Sequence, residues 1–175
     1  MNAQELLSTF RTALGSRLLE SRVVERQVGT VTRSTLPDIW LVVGRETLHE
    51  AVAHLCARYA PHLSVISGDD LGETIAFNYH FTTGWGERLG EATCTIRTVV
   101  PKSDLRLPTI TDLLPGAQTS EREKREFYGV EIEGIPDARN LFLPQGSTIH
   151  PWRKDLEGET ATVVKRMVRW EARDE

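Results

Sequence analysis

The sequence predicts an α+β protein: a small mixed sheet covered on one face by two helices, followed by an extended, proline-punctuated C-terminal arm. Three observations predict it. Two stretches carry apolar residues at helical spacing, five others read as strands, and beyond Pro101 neither period persists. Residues 1–100 are therefore expected to form the α+β domain and residues 101–175 the arm.

Leu6, Leu7, Phe10 and Leu14 lie on one helical stripe, so Asn2 to Leu14 reads as an amphipathic helix closed by Gly15. Leu19 to Gln27 reads as a strand, and Asp38 to Val43 (D-I-W-L-V-V) as a second, ended by Gly44. Leu48, Val52, Leu55, Cys56 and Tyr59 then form a second helical face, which Pro61 terminates. His49 and His54 fall off that stripe and are expected to face solvent. His62 to Ser67 is a third strand, with Gly68-Asp69-Asp70 as the turn after it. Thr74 to Thr82 alternates, placing Ile75, Phe77, Tyr79 and Phe81 on one face. A glycine-rich loop, Gly84 to Gly90, leads to the return strand, Ala92 to Val100.

Composition bounds the function. Of 175 residues, 39% are hydrophobic and 26% charged, enough apolar content to build a core. With 21 basic and 25 acidic residues the formal net charge is −4, which disfavours a nucleic-acid binder. No apolar run approaches the roughly 18 residues that a membrane span needs. Met1 to Leu14 lacks the basic and apolar blocks of a secretory signal. The two cysteines, Cys56 and Cys94, are too few for an iron–sulfur cluster or a structural zinc. Both are expected to be buried thiols, which points to a reducing compartment.

Beyond Pro101, prolines recur at 108, 115, 136, 144 and 151, yet Ile110, Leu113, Leu114, Val130, Ile132, Leu141, Phe142, Leu143 and Trp152 are apolar. A segment of this kind cannot close a core of its own. It wraps back over the first domain or docks on a partner, and burying each large side chain is worth about 1.5–3 kcal/mol. Docking on a partner is the favoured reading.

The most informative stretch is Ser120 to Gly129 (S-E-R-E-K-R-E-F-Y-G). Ser120 with Glu123 reads as a capping box and Gly129 as the C-terminal cap. Glu121 with Arg125, and Arg122 with Glu126, are spaced as ion pairs. The segment reads either as a solvated charged turn or as a docking element. Glu121, Glu123 and Glu126 could cluster around a metal, but no histidine is near and arginines alternate with them. No serine sits in a nucleophile-elbow context, and the Gly84 loop lacks the lysine and helix of a phosphate loop. His150 to Asp155 (H-P-W-R-K-D) sets one aromatic beside two cations. No catalytic set emerges.

From Pro108 to Asp155 the chain resembles the 30-kDa-type subunit of respiratory complex I and its counterpart in membrane-bound energy-converting nickel–iron hydrogenases. The matching blocks are Pro108 and Asp112; then E-R-E at Glu121, Arg122 and Glu123, with Glu126 and Gly129. They continue with P-D-x-R at Pro136, Asp137 and Arg139, with Leu141, Leu143 and Pro144, and end with P-x-R-K-D at Pro151, Arg153, Lys154 and Asp155. Thr119, Ile135 and Trp152 depart from the usual residues, as does the tail after Asp155, and these departures favour the hydrogenase branch.

The resemblance implies a cofactor-free scaffold whose arm embraces a large catalytic subunit. Iron–sulfur clusters, and a quinone site or nickel–iron centre, would lie in partner subunits, and electrons would pass between those chains. It implies a peripheral place on the cytoplasmic side of the cell membrane. The expected docking residues are Glu121, Arg122, Glu123, Glu126, Arg139, Trp152, Arg153 and Lys154. Two alternatives stand beside this reading: a self-contained small α+β enzyme or ligand-binding protein with the arm as a lid, and a homo-oligomer formed through the arm.

Overall fold

The computed structural model describes residues 3–30, 34–86 and 90–157. Helix α1 (Ala3–Leu14) buries Leu6, Leu7, Phe10 and Leu14, the stripe its sequence carries. Strands β1 (Leu18–Val28) and β2 (Ser34–Val43) form an antiparallel pair. Helix α2 (Arg45–Arg58) follows, then β3 (His62–Asp70), β4 (Thr74–Thr83) and β5 (Ala92–Pro101). The sheet runs in the order β1-β2-β5-β4-β3. Within this sheet, as far as the described residues show, β2 and β5 pair in parallel and the other neighbours antiparallel, so the sheet is mixed, as expected.

β2 begins four residues before the expected start and runs through Pro37. Proline is tolerated there because β5 reaches only Asp38 to Val42, leaving that side of Pro37 unpaired. The expected turn at Gly68-Asp69-Asp70 is instead the end of β3. The chain reverses at residues 71–73, where the Gly72 N–H donates to Asp70 Oδ1 at 2.9 Å and the Leu71 N–H to the Thr74 carbonyl at 2.9 Å.

One core joins the helices to one sheet face. Ile39, Leu41, Ile75, Phe77, Phe81, Cys94 and Ile96 are fully buried against Phe10, Leu48, Val52 and Leu55. Cys94 is buried as expected, and burial pushes its thiol up to about 12; Cys56 is only half-buried. His54 is not a free surface residue. Its ring packs on Phe10 with centroids 4.7 Å apart, and Nε2 meets Thr9 Oγ1 at 3.1 Å. Burial accordingly lowers its pKa. His49 is half-buried, and its Nε2 lies 2.9 Å from Asp112.

A third helix, α3 (Ala117–Tyr128), packs beside β3. It starts one turn before the expected capping box. Gly116 is the N-cap, and Ser120 lies inside the helix. The earlier start follows from Ala117, which is fully buried and donates its N–H to the Leu114 carbonyl at 2.9 Å. Gly129 caps the other end with φ +73°, its N–H donating to the Arg125 carbonyl at 3.0 Å. Short strands β6 (Arg106–Pro108) and β7 (Glu131–Glu133) pair in parallel around α3. Leu107, Ile110, Val130 and Ile132 join the same core, so this part of the apolar sequence after Pro101 wraps back over the first hundred residues.

Candidate functional site

Helix α3 places three carboxylates in three different environments. Glu121 is 1% exposed. It accepts hydrogen bonds from the hydroxyls of Thr109 (2.5 Å) and Thr111 (2.8 Å) and from the Ile110 N–H (2.8 Å). These satisfy a buried anion, and they fold the 109–111 turn onto the helix. Glu126, 3% exposed, does the same for the segment after α3. Its oxygens accept the N–H groups of Leu141 (2.9 Å), Phe142 (3.0 Å) and Leu143. Three successive backbone donors aimed at one carboxylate make a rigid anion cradle. Glu123 instead pairs with its neighbour Lys124.

Arg122 works from the next helical face. Nε donates to the Arg139 carbonyl at 3.0 Å and Nη2 to that of Asn140 at 3.1 Å, while Nη1 lies 3.3 Å from Asp137. Arg139 grips the same Asp137 through two bonds of 2.9 and 2.8 Å, and this pairing holds the Asp137 carboxyl well below the ordinary range. Most of the Arg139 side chain is exposed. Arg122 and Glu126 together therefore set the path of residues 137–143.

The apolar residues of that path meet an aromatic row. Phe142 stacks on Phe127 (5.7 Å, 6° between planes), and Phe127 meets Trp152 at 4.5 Å. Trp152 also meets Tyr128 edge-on at 5.5 Å, with Lys124 Nζ 4.6 Å from its ring centroid. The Trp152 N–H donates to the Phe127 carbonyl at 3.0 Å. Even so, Phe142 remains 66% exposed and Trp152 39%. Next to them, Arg153 grips Asp155 through two bonds of 2.9 and 2.7 Å, which hold the Asp155 carboxyl low.

A last clamp fixes residues 154–155 to the sheet. Asp70, on β3, accepts the Lys154 N–H at 2.8 Å and pairs with Lys102 Nζ at 2.8 Å. Lys154 Nζ donates to the Asp70 carbonyl at 2.6 Å, and Lys102 also reaches Asp155 at 3.1 Å. Burial opposes ionisation of Asp70, but these bonds outweigh it and its pKa is lowered.

The eight sequence-selected residues thus gather on α3 and the strap from 137 to 155. Glu121 and Glu126 point inward and bind this chain's own backbone. Arg139, Trp152 and Lys154 remain at the surface, and Arg153 is a quarter exposed. Sequence reasoning missed Asp70, Lys102, Thr109 and Thr111. Their partners lie 10 to 84 residues away, and no local spacing announces such pairs. Among the described residues no group of three or more His, Cys, Asp or Glu side chains could hold a metal ion, and no helix is long and apolar enough to cross a membrane.

Residues 41–162 match the family described as the respiratory-chain NADH dehydrogenase, 30 Kd subunit. The chain is 36% identical over 140 residues to NADH-quinone oxidoreductase subunit 5 of Thermus thermophilus, covering 74% of this chain and 67% of that one. It is 31% identical over 131 residues to the membrane-bound hydrogenase subunit beta of Pyrococcus furiosus, covering 73% and 75%. Among solved structures, a trypsin-resistant fragment (1–134) of Nqo5 superposes with a TM-score of 0.58 at 28% identity, covering 78% of this chain and 99% of the fragment. A chain of a membrane-bound sulfane sulfur reductase, an archaeal respiratory membrane complex, shares the fold with a TM-score of 0.68 at 19% identity, over 98% and 94%. The chain belongs to the family of the 30-kDa subunit of respiratory-chain NADH dehydrogenase.

Proposed function

We propose that this chain is a cofactor-free scaffold subunit of a complex-I-like or hydrogenase-type respiratory membrane complex. Family membership supports the subunit reading, and relatives of both kinds match it. In this reading the partner is the large catalytic subunit, and the strap from Asp137 to Asp155 is the docking surface, peripheral to the membrane on its cytoplasmic side. Clusters and the quinone or nickel–iron centre reside in other chains.

The observation that carries the docking reading is the aromatic row on α3. A chain folding for itself alone would bury Phe142 and Trp152. Here Glu126 and Arg122 hold the backbone around Phe142, and the Phe127 carbonyl holds that of Trp152, so that both stay exposed next to Arg139 and Lys154. Aromatic residues and arginines in a fixed frame are what partner interfaces favour. The test is an affinity pull-down of the tagged chain from detergent-solubilised native membranes, with mass spectrometry of the partners. Recovery of a large subunit bearing two terminal C-x-x-C pairs supports the hydrogenase branch. Recovery of a homologue without them, with a flavin-containing NADH module, supports complex I. A chain recovered alone overturns the scaffold reading.

One observation favours the lid alternative: a cleft of about 500 Å³ between α3 and the strap, with Arg125, Asn140, Ser147 and His150 among its lining residues. A small-molecule site there would let the isolated chain bind a ligand with no partner present.

A further inference from the structure

Among the described residues, the three helices cover one face of the sheet, and the opposite face is built differently. Its central side chains are polar and tied together. Arg97 Nη1 donates to Asn78 Oδ1 at 3.2 Å, and Asn78 Nδ2 donates to Ser67 Oγ at 3.2 Å. His80 meets Ser67 Oγ at 2.9 Å and Thr95 Oγ1 at 3.0 Å. Beside this network Trp40 stands edge-on to His80 at 6.1 Å, and the Arg22 guanidinium lies 5.0 Å from the Trp40 ring. Arg22, Trp40, Val42, Arg97 and Val99 line a cavity of about 350 Å³ on this face, with Glu20 at its side.

The charges there are unbalanced. Arg26, on the same face, holds Asp38 at 3.4 Å. Arg22 and Arg97 hold no carboxylate among the described residues, although other arginines of the chain do: Arg17 with Glu50, Arg45 with Asp104, Arg122 with Asp137, Arg153 with Asp155. The hydrogen bond to Asn78 uses one Arg97 donor and leaves the rest of a five-donor fork free. An indole between two such forks suits an occupant that offers carboxylates to both ends and apolar chain to the middle.

We infer that this open face docks an acidic, extended segment of another polypeptide, whose two carboxylates meet Arg22 and Arg97 while its backbone crosses Trp40. The register sets the spacing. Arg22 lies opposite Trp40 on β1, and Arg97 opposite Val42 on β5, so the two are two strands apart. Two strand spacings of about 4.8 Å and the two-residue offset from Trp40 to Val42 separate their backbones by roughly 12 Å, close to the span of four residues of extended chain at about 3.3 Å each. Side chains of an extended chain share a face at even spacing, so an Asp or Glu pair at i and i+4 fits. Two cations with Glu20 beside them are too few for a nucleic acid or an anionic membrane, both of which reward larger basic patches. This surface is separate from the α3 strap and does not depend on it.

The test uses the full chain in its native membranes. A photo-crosslinking residue is introduced as Val99→p-benzoylphenylalanine and, separately, as Val24→p-benzoylphenylalanine, since both valines are exposed on this face. The expected product joins Val99 or Val24 to a peptide of another polypeptide carrying two acidic residues four positions apart. Charge reversal by R22E, alone and with R97E, is expected to cut its yield about tenfold, with circular dichroism confirming the fold. Products with lipid, nucleic acid or a peptide lacking carboxylates, no intermolecular product at either position, or a yield indifferent to charge reversal each overturn the inference. A parallel probe at Trp152 separates it from the docking reading above. Silence at Val99 and Val24 with a product at Trp152 sinks only the acidic segment; the reverse sinks only the strap.

Discussion

Tyr128 lies across Gly68. Its hydroxyl donates to the Gly68 carbonyl at 2.7 Å, and a Cβ built on Gly68 would stand 2.4 Å from the ring. The two residues are 60 positions apart, and their contact seats the end of α3 on β3. A glycine inside a strand marks such close approach. Gly68→Ala must push the ring away, and an overpacked site of this kind costs about 1–3 kcal/mol. Tyr128→Phe keeps the packing and strands the Gly68 carbonyl, costing about 1 kcal/mol. Urea unfolding of the two variants checks both values. A Gly68→Ala chain as stable as the parent would show that α3 does not need this seat.

Glu126 fixes the strap from below, since three backbone N–H groups converge on it. Glu126→Gln turns half of the acceptor into a donor and removes its charge. Charge-assisted bonds are worth about 1.5–3 kcal/mol, so the strap after residue 137 should loosen while the sheet and helices stay folded. Limited proteolysis reads this directly: cleavage within residues 138–149 should become faster, with unchanged far-ultraviolet circular dichroism.

Asp70 and Lys102 give the clamp a pH dependence with a definite sign. Asp70 has its pKa lowered, so its contribution is present above the unfolded carboxylate value of about 3.9 and is lost as pH falls through the lower folded value. Lys102 is raised by Asp70 and Asp155 against the opposing effect of burial. Its contribution is present below about 10.4 and is lost as pH rises through its higher folded value. Stability should therefore show no loss from this pair between about pH 5 and 9. Asp70→Asn should cost about 1.5–3 kcal/mol at pH 7 and much less near pH 2. Denaturant midpoints measured at those pH values check the difference, and an equal cost at both would remove the charge from the explanation.

The two thiols should separate kinetically. Cys94 is fully buried with its pKa pushed up to about 12, whereas Cys56 is half-buried on α2. The thiolate is the reactive form, so a thiol reagent at about pH 8 should modify Cys56 first and Cys94 only on unfolding. Peptide mapping at early times identifies the site.

Much of the fold was legible because its signals are local. The stripe Leu6, Leu7, Phe10 and Leu14 and the alternation of Ile75 to Phe81 each need only a short window, and both appear as α1 and β4. What escaped was tertiary. Gly68 reads as a turn residue because its reason for being glycine, the Tyr128 ring, lies in another element. Ser120 reads as a cap because the burial of Ala117 that draws the helix start forward is invisible locally. At the site, E-R-E through Gly129 was recognisable as a pattern, and the helix ends at Gly129 as the pattern has it, although it starts a turn earlier. The inward roles of Glu121 and Glu126 were not, since a carboxylate's partners on distant backbone have no spacing to read. Asp70 and Lys102 have no motif at all.

The strap's outward groups make the last prediction. Trp152 is held from behind by Phe127, Tyr128 and Lys124, so its ring is fixed before any partner arrives. A preordered aromatic loses little conformational freedom on docking, and such anchors often cost about 2 kcal/mol or more, roughly thirtyfold in affinity, when cut to alanine. Trp152→Ala also unpacks the row from within, so its effect on assembly must be set against a variant that spares the row. Arg139→Ala serves, because the Arg139 side chain is 78% exposed and its partner Asp137 keeps Arg122. Both variants should fold as isolated chains, with Arg139→Ala losing less than about 1 kcal/mol, the range of an exposed ion pair. In the pull-down, Trp152→Ala should abolish co-purification of the large subunit and Arg139→Ala should weaken it in proportion to salt. Wild-type recovery with both variants would mean that the aromatic row serves only this chain's own fold.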